Sequence, residues 1–160
     1  MARTQLVFVL ALTFTLLTGC GSAPAKPMPT RAVITASADV NPNAEGRASP
    51  VHVRIFQLKE EGAFMDADFW SLVDEEQQTL AGSLLQRLEQ NLAPGERKEL
   101  ELEIDPQASV LAVMAEFANY RDATWRATVK TPDESLLDLI KKNQVVIDVR
   151  KDSVLVSVGR

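Results

Sequence analysis

The chain has 160 residues, 46% of them hydrophobic, with 17 basic and 22 acidic side chains and a formal net charge of −5. No Lys/Arg cluster stands out, which argues against a nucleic-acid partner. A single histidine, His52, and a single cysteine, Cys20, cannot assemble a His/Cys zinc site or a disulfide within one chain.

Residues 1 to 5, MARTQ, carry the starting amine and Arg3, and residues 6 to 17, LVFVLALTFTLL, are almost wholly apolar. The small residues Thr18 and Gly19 follow, completing the three-part plan of a secretory signal. The apolar run falls short of the roughly 20 residues that cross a bilayer. Leu17-Thr18-Gly19-Cys20 resembles a bacterial lipobox, which implies removal of residues 1 to 19, a diacylglyceryl group on the Cys20 sulfur and acylation of the new amine. Each buried methylene contributes about 0.8 kcal/mol, so several chains on one residue make a lasting anchor. Gly21 and Ser22 follow the cysteine and no aspartate does. By resemblance to known sorting signals, that favours the periplasmic face of the outer membrane. Removing 19 of 160 residues leaves 141, the size of one domain.

Residues 21 to 30, GSAPAKPMPT, read as an extended tether, and the domain is expected over 31 to 160. RAVITASADV (31 to 40) favours a strand, NPNAEGRASP (41 to 50) a loop, and VHVRIFQL (51 to 58) a strand with Val51, Val53 and Ile55 on one face and His52, Arg54 and Phe56 on the other. FMDADFWSLV (64 to 73) bunches aromatics at helical spacing, with Asp66 as a candidate cap. Asp74 with Gln77 suggests a second cap, followed by a leucine stripe at Leu80, Leu84, Leu85, Leu88 and Leu92. A helical insert over about 64 to 92 is therefore expected, ended by Pro94-Gly95. RKELELEID (97 to 105) alternates strictly, SVLAVMAEFANY (109 to 120) is apolar on both faces over its first half, and TWRATVK (124 to 130) alternates again. DESLLDLIKK (133 to 142) suggests a short helix, and QVVIDVRKDSVLVSV a hairpin about Arg150-Lys151-Asp152. The sum is a mainly β protein, a sandwich of about seven strands with a helical insert between the second and third.

Catalytic chemistry finds little purchase. His52 reads as a solvated strand histidine, and Glu99, Glu101 and Glu103 as one solvated strand face. No nucleophile elbow, P-loop or dinucleotide fingerprint is present. Glu116 lies among apolar neighbours and calls for a cationic partner, Arg54 or Arg126 across strands. Phe64, Phe69 and Trp70 are expected to be core. These features point to a protein that is not an enzyme and needs no cofactor beyond the covalent lipid on Cys20.

NPNAEGRASPVHVRIFQLK (41 to 59), FMDADFWSLV (64 to 73), LAPGE (92 to 96) and NYRDATWR (119 to 126), in that order behind a lipobox, resemble the TssJ family, the outer-membrane lipoproteins of the bacterial type VI secretion system. GRxSPVxVRIxQL and ADFxSL carry the resemblance most specifically. It implies a transthyretin-like β-sandwich with an added helical portion. It also implies a role in anchoring the membrane core complex, by binding the periplasmic C-terminal domain of the inner-membrane protein TssM and, through it, TssL. The family's contact loop falls here on Asn41, Pro42, Asn43, Ala44, Glu45, Gly46, Arg47, Ala48, Ser49 and Pro50. Independently of the resemblance, two prolines stiffen this loop, and Asn41, Asn43, Glu45 and Arg47 offer polar contacts. The alternative is a lipid-anchored periplasmic module of another envelope or pilus assembly system, bound through a strand edge.

Overall fold

The computed structural model describes residues 25–132 and 144–159. The signal segment 1 to 19, Cys20, the start of the tether and the helix expected over 133 to 142 lie outside the described residues. Eight strands form two four-stranded sheets. The first holds β4 (Arg97–Ile104), β1 (Met28–Ala36), β7 (Gln144–Val149) and β8 (Val154–Gly159), in that order. The second holds β3 (Leu84–Leu92), β2 (Val51–Leu58), β5 (Val110–Glu116) and β6 (Arg126–Lys130). Between β2 and β3 lie three short helices, α1 (Gly62–Asp66), α2 (Phe69–Asp74) and α3 (Glu76–Leu80), and a 3-10 turn at Ala81–Ser83. The mainly β sandwich and the insert after the second strand agree with the expectation; the strand count is one higher.

The extra strand is β3, expected to be helical. Leu84, Leu88 and Leu92 recur at spacing four, which puts them on one side of a helix and equally on one face of a strand. Gln86 and Gln90 between them hide the period of two. Pairing decides: β2 has β5 on one side and offers a full row of backbone groups on the other, which β3 takes up from Val51↔Leu92 to Gln57↔Gln86. An irregularity at Gln57/Leu58 turns Leu84 toward the helices and Leu85 toward the inner core. The helical part thus spans 62 to 83, not 64 to 92. Its caps also differ. Asp66 and Asp74 are the last residues of α1 and α2, whereas Asp68 accepts the Ser71 N–H at 3.0 Å and caps α2. α3 has no side-chain cap.

β1 begins at Met28, inside the expected tether. Among the described residues, β7 pairs with β1 only from Arg31 onward, so Pro29 sits where β1 has β4 as its one neighbour. A strand residue that donates no hydrogen bond is tolerated there.

Two cores result. Ile34, Val53, Ile55, Leu111, Val113, Val145 and Ile147 fill the space between the sheets. Phe56, Leu58, Ala112 and Met114, on the opposite face of the second sheet, are covered by Phe64, Phe69, Leu72 and Leu80 of the insert. This is why β5 is apolar on both faces.

Helices of five and six residues do not persist alone. Here two arginines of the second sheet hold them by their last carbonyls. Arg54 Nη1 donates to the Leu72 and Val73 carbonyls at 3.2 and 3.1 Å, and Arg126 Nη1 to those of Phe64 and Ala67 at 3.0 and 2.6 Å. Arg54 also pairs with Glu76 at 3.2 Å and touches Glu116 at 2.8 Å, off the N–H axis. Of the two partners expected for Glu116, the structure selects Arg54. Arg87 completes the group at 2.6 Å from Glu76.

Candidate functional site

The strand order places the chain's connections at two poles. Met28, which begins β1, stands at one pole with the end of β2. The segment 37–50, the turn 93–96, the segment 117–125 and the turn 150–153 stand at the other. The strand between them has 9 residues, which at about 3.3 Å each separates the poles by about 30 Å.

At the distal pole the loop 41–50 is held shut. Val40 is fully buried and plugs the inner core beneath it. Asn41 follows in a left-handed conformation, φ 47°, which asparagine tolerates better than most residues. Its side chain is a latch: Nδ2 donates to the Pro50 carbonyl and Oδ1 accepts the Ala118 N–H, both at 2.7 Å. Its own N–H donates to the Lys151 carbonyl at 2.9 Å. One residue thereby joins three connections of the pole. Above it, Asn43 Oδ1 accepts the Glu45 and Arg47 N–H groups at 3.1 and 2.9 Å. The Asn43 N–H donates to the Arg47 carbonyl and its carbonyl accepts the Gly46 N–H, both at 2.9 Å. The φ of 75° at Gly46 is what this tight turn requires.

The ten residues singled out from sequence therefore divide. Asn41 is buried, and Asn43 is half-covered with its side chain turned onto its own loop; both shape the loop. Pro42, Ala48 and Ser49 are half-covered, with the Ser49 N–H on the Val40 carbonyl at 3.1 Å. Ala44, Glu45, Gly46, Arg47 and Pro50 are exposed. Glu45 and Arg47 approach to 4.0 Å while largely solvated, a contact that leaves both charges available.

Sequence reasoning missed a neighbouring cleft. Asn41 and Pro42 line it with Phe117, Asn119, Asp122, Ala123, Lys151 and Asp152. Pro42, Phe117 and Ala123 give it apolar surface beside Asp122, Lys151 and Asp152, none of the three charged groups in an ion pair among the described residues. The stretch NYRDATWR was a signal that 119 to 126 mattered, but its meeting with residue 41 needs the fold.

Away from the pole, His52 sits beside Asn91 at 2.8 Å and lies 3.9 Å from both Glu89 and Glu116. Glu99, Glu101 and Glu103 are exposed on β4, and the hydrogen bond from Arg31, then its charge, holds the Glu99 carboxyl below its ordinary range. Phe64 and Phe69 are core, as expected. Trp70 is not: it is 53% exposed, because Phe69 occupies the inward position of α2 and directs its neighbour outward. Among the described residues no metal-binding group of three His, Cys, Asp or Glu forms.

A family profile described as type VI secretion lipoprotein (T6SS-SciN; VasD, EvfM, TssJ) matches residues 29–152. The crystal structure of the type VI secretion lipoprotein TssJ1 from Pseudomonas aeruginosa superposes with a TM-score of 0.75 at 28% identity, over 84% of this chain and 98% of that one. Serratia marcescens Lip, a membrane-bound component of the same kind of system, gives 0.72 at 26%, over 81% and 96%. A chain of the structure described as the type VI secretion protein TssM C-terminal domain (869–1107) from EAEC gives 0.65 at 25%, over 80% and 99%. No curated protein sequence matches.

Proposed function

The chain belongs to the type VI secretion lipoprotein family, and from that membership we propose that it is lipidated at Cys20, held on the periplasmic face of the outer membrane, and there binds the periplasmic C-terminal domain of TssM. Through TssM it connects to TssL and the inner membrane. Its work is holding rather than catalysis.

The opposition of the two poles carries this reading. Cys20 lies eight residues before Met28, so a lipid on it keeps the entry pole within about 26 Å of the bilayer, at 3.3 Å per residue. The loop 41–50 and its cleft are then presented on the far side, toward the opposite membrane. The latch at Asn41 and the cross-braced Asn43 hold that surface in shape before a partner arrives, which reduces the ordering entropy lost on binding. The size of the matched chain in the TssM structure lends support. Residues 869 to 1107 number 239, whereas 80% of 160 residues, or 128, covers 99% of the matched chain. That chain is too short to be the whole fragment, and a chain of this fold in a structure named for TssM supports TssM as the partner proposed.

Titration calorimetry of the TssM periplasmic domain against the chain lacking residues 43 to 47 should show at least about a tenfold loss of affinity, the scale of a lost hot spot, with the circular dichroism of the sandwich unchanged. Wild-type affinity would remove the loop from the interface. Separately, Cys20→Ser should move the protein from the membrane fraction to the soluble periplasm, and retention in membranes would reject the lipid anchor.

A further inference from the structure

The most exposed large apolar side chains among the described residues are Met65 at 41%, Trp70 at 53% and Leu155 at 42%, and two of these lie on the helical insert. Trp70 is nevertheless fixed. Its Nε1–H donates to the Tyr120 hydroxyl at 3.0 Å, and its ring meets Phe69 edge-on at 5.3 Å. Phe69 is in turn stacked on Tyr120 at 4.2 Å and crossed by Trp125 at 5.2 Å. A large ring held rigidly with half its surface in water offers contact area and little rotamer freedom to lose, the properties of a binding anchor.

The surroundings indicate what would cover it. Two guanidinium groups already lie over rings of this cluster, Arg121 over Tyr120 at 5.7 Å and Arg126 over Trp125 at 4.6 Å. Among the described residues, the Trp70 ring has none. From Glu60 to Gln86 the chain carries seven carboxylates and no lysine or arginine. Glu76 is neutralised by Arg54 and Arg87, and the other six are exposed. Asp66 and Asp74 close α1 and α2, where a helix favours a cation, so helix stability does not account for them. An anionic lipid surface would be repelled by this face, and a second copy of a chain of net charge −5 is poorly matched to it.

We propose that the Trp70 face of the insert is a second docking surface, which takes a basic segment of a partner protein by stacking an arginine on the indole between the insert's carboxylates. Arginine fits better than lysine because its planar guanidinium both stacks and pairs with carboxylate. The surface adjoins the distal pole through Tyr120 but does not depend on the loop 41–50.

The test uses the isotope-labelled mature chain carrying Cys20→Ser, titrated with a short peptide alternating arginine and leucine and with its glutamate-leucine counterpart. The Trp70 indole N–H resonance should shift saturably with the arginine peptide, that of Trp125 much less, and the glutamate peptide should not bind. Trp70→Ala should weaken binding about 30-fold, the effect of removing a hot-spot aromatic. The double variant Asp66→Lys with Asp74→Lys, on exposed positions, should weaken it about tenfold while the fold stays intact. Three outcomes overturn the proposal: undiminished binding by Trp70→Ala, shifts centred on another surface, or Trp70 shifts on concentrating the protein without peptide, which would assign the face to a second copy.

Discussion

Asn41 concentrates the organisation of the distal pole in one side chain, and its loss can be estimated in parts. Asn41→Gly keeps the freedom to adopt φ 47° but removes two hydrogen bonds of 2.7 Å at a position only 7% exposed. A hydrogen bond contributes about 1 kcal/mol net, so the two amount to about 2 kcal/mol, and more if the Ala118 N–H is left without a partner. Asn41→Ala loses the same bonds and adds about 1 kcal/mol for a left-handed residue bearing a Cβ. The expected losses are therefore about 2 kcal/mol for glycine and about 3 for alanine. In thermal unfolding, about 3 kcal/mol corresponds to roughly 10 °C for a domain of this size. Urea unfolding followed by tryptophan fluorescence measures both differences. The glycine variant should also bind TssM more weakly, because the ties that hold the loop 41–50 against 117–125 are gone. Wild-type stability in both variants would refute the latch. Alanine no worse than glycine would refute the contribution of the backbone angle.

Arg54→Met removes the cap on the last carbonyls of α2, leaves Glu76 with Arg87 alone, and takes Arg54 from Glu116. With the Glu76 side chain only 4% exposed, breaking the group should cost about 3 kcal/mol, and hydrogen exchange should rise first in residues 69 to 80. Exchange that stays protected there would mean that apolar packing alone holds the insert. The Asp68 carboxyl titrates below its ordinary value, first because of the Ser71 hydroxyl and then the Ser71 backbone N–H. A lowered folded pKa means the contribution is present at neutral pH and disappears as pH falls through that folded value. Ser71→Ala should bring the Asp68 titration, followed by carboxyl NMR, back toward the ordinary aspartate range, and an unchanged midpoint would exclude the hydroxyl as its cause.

Much of the fold is legible in short segments. VHVRIFQL alternates from Val51 to Ile55 and announces a strand. RKELELEI announces a strand wet on one face, and the punctuation of NPNAEGRASP announces a loop. Each signal is local, since side-chain direction along a strand and the backbone preferences of Asn, Pro and Gly depend on near neighbours. The failures share a cause. Leu84, Leu88 and Leu92 satisfy two periods at once, and only the open edge of β2 selects the strand. Trp70 shares the apolar character of Phe64 and Phe69, and only the shape of the underlying sheet decides which rings fit.

By itself, the sequence determined that this is a mainly β chain without a recognisable catalytic motif, with a lipobox-like start and a stiff polar loop at 41–50. Those are properties of composition and of residues close together along the chain. The tertiary structure alone decided that Asn41 would latch to Ala118, that Arg54 would join β2 to α2, α3 and β5, and that the entry point and the loop would stand at opposite poles. Each of these joins distant segments, and which polar groups remain to be satisfied there is known only once the strands have paired.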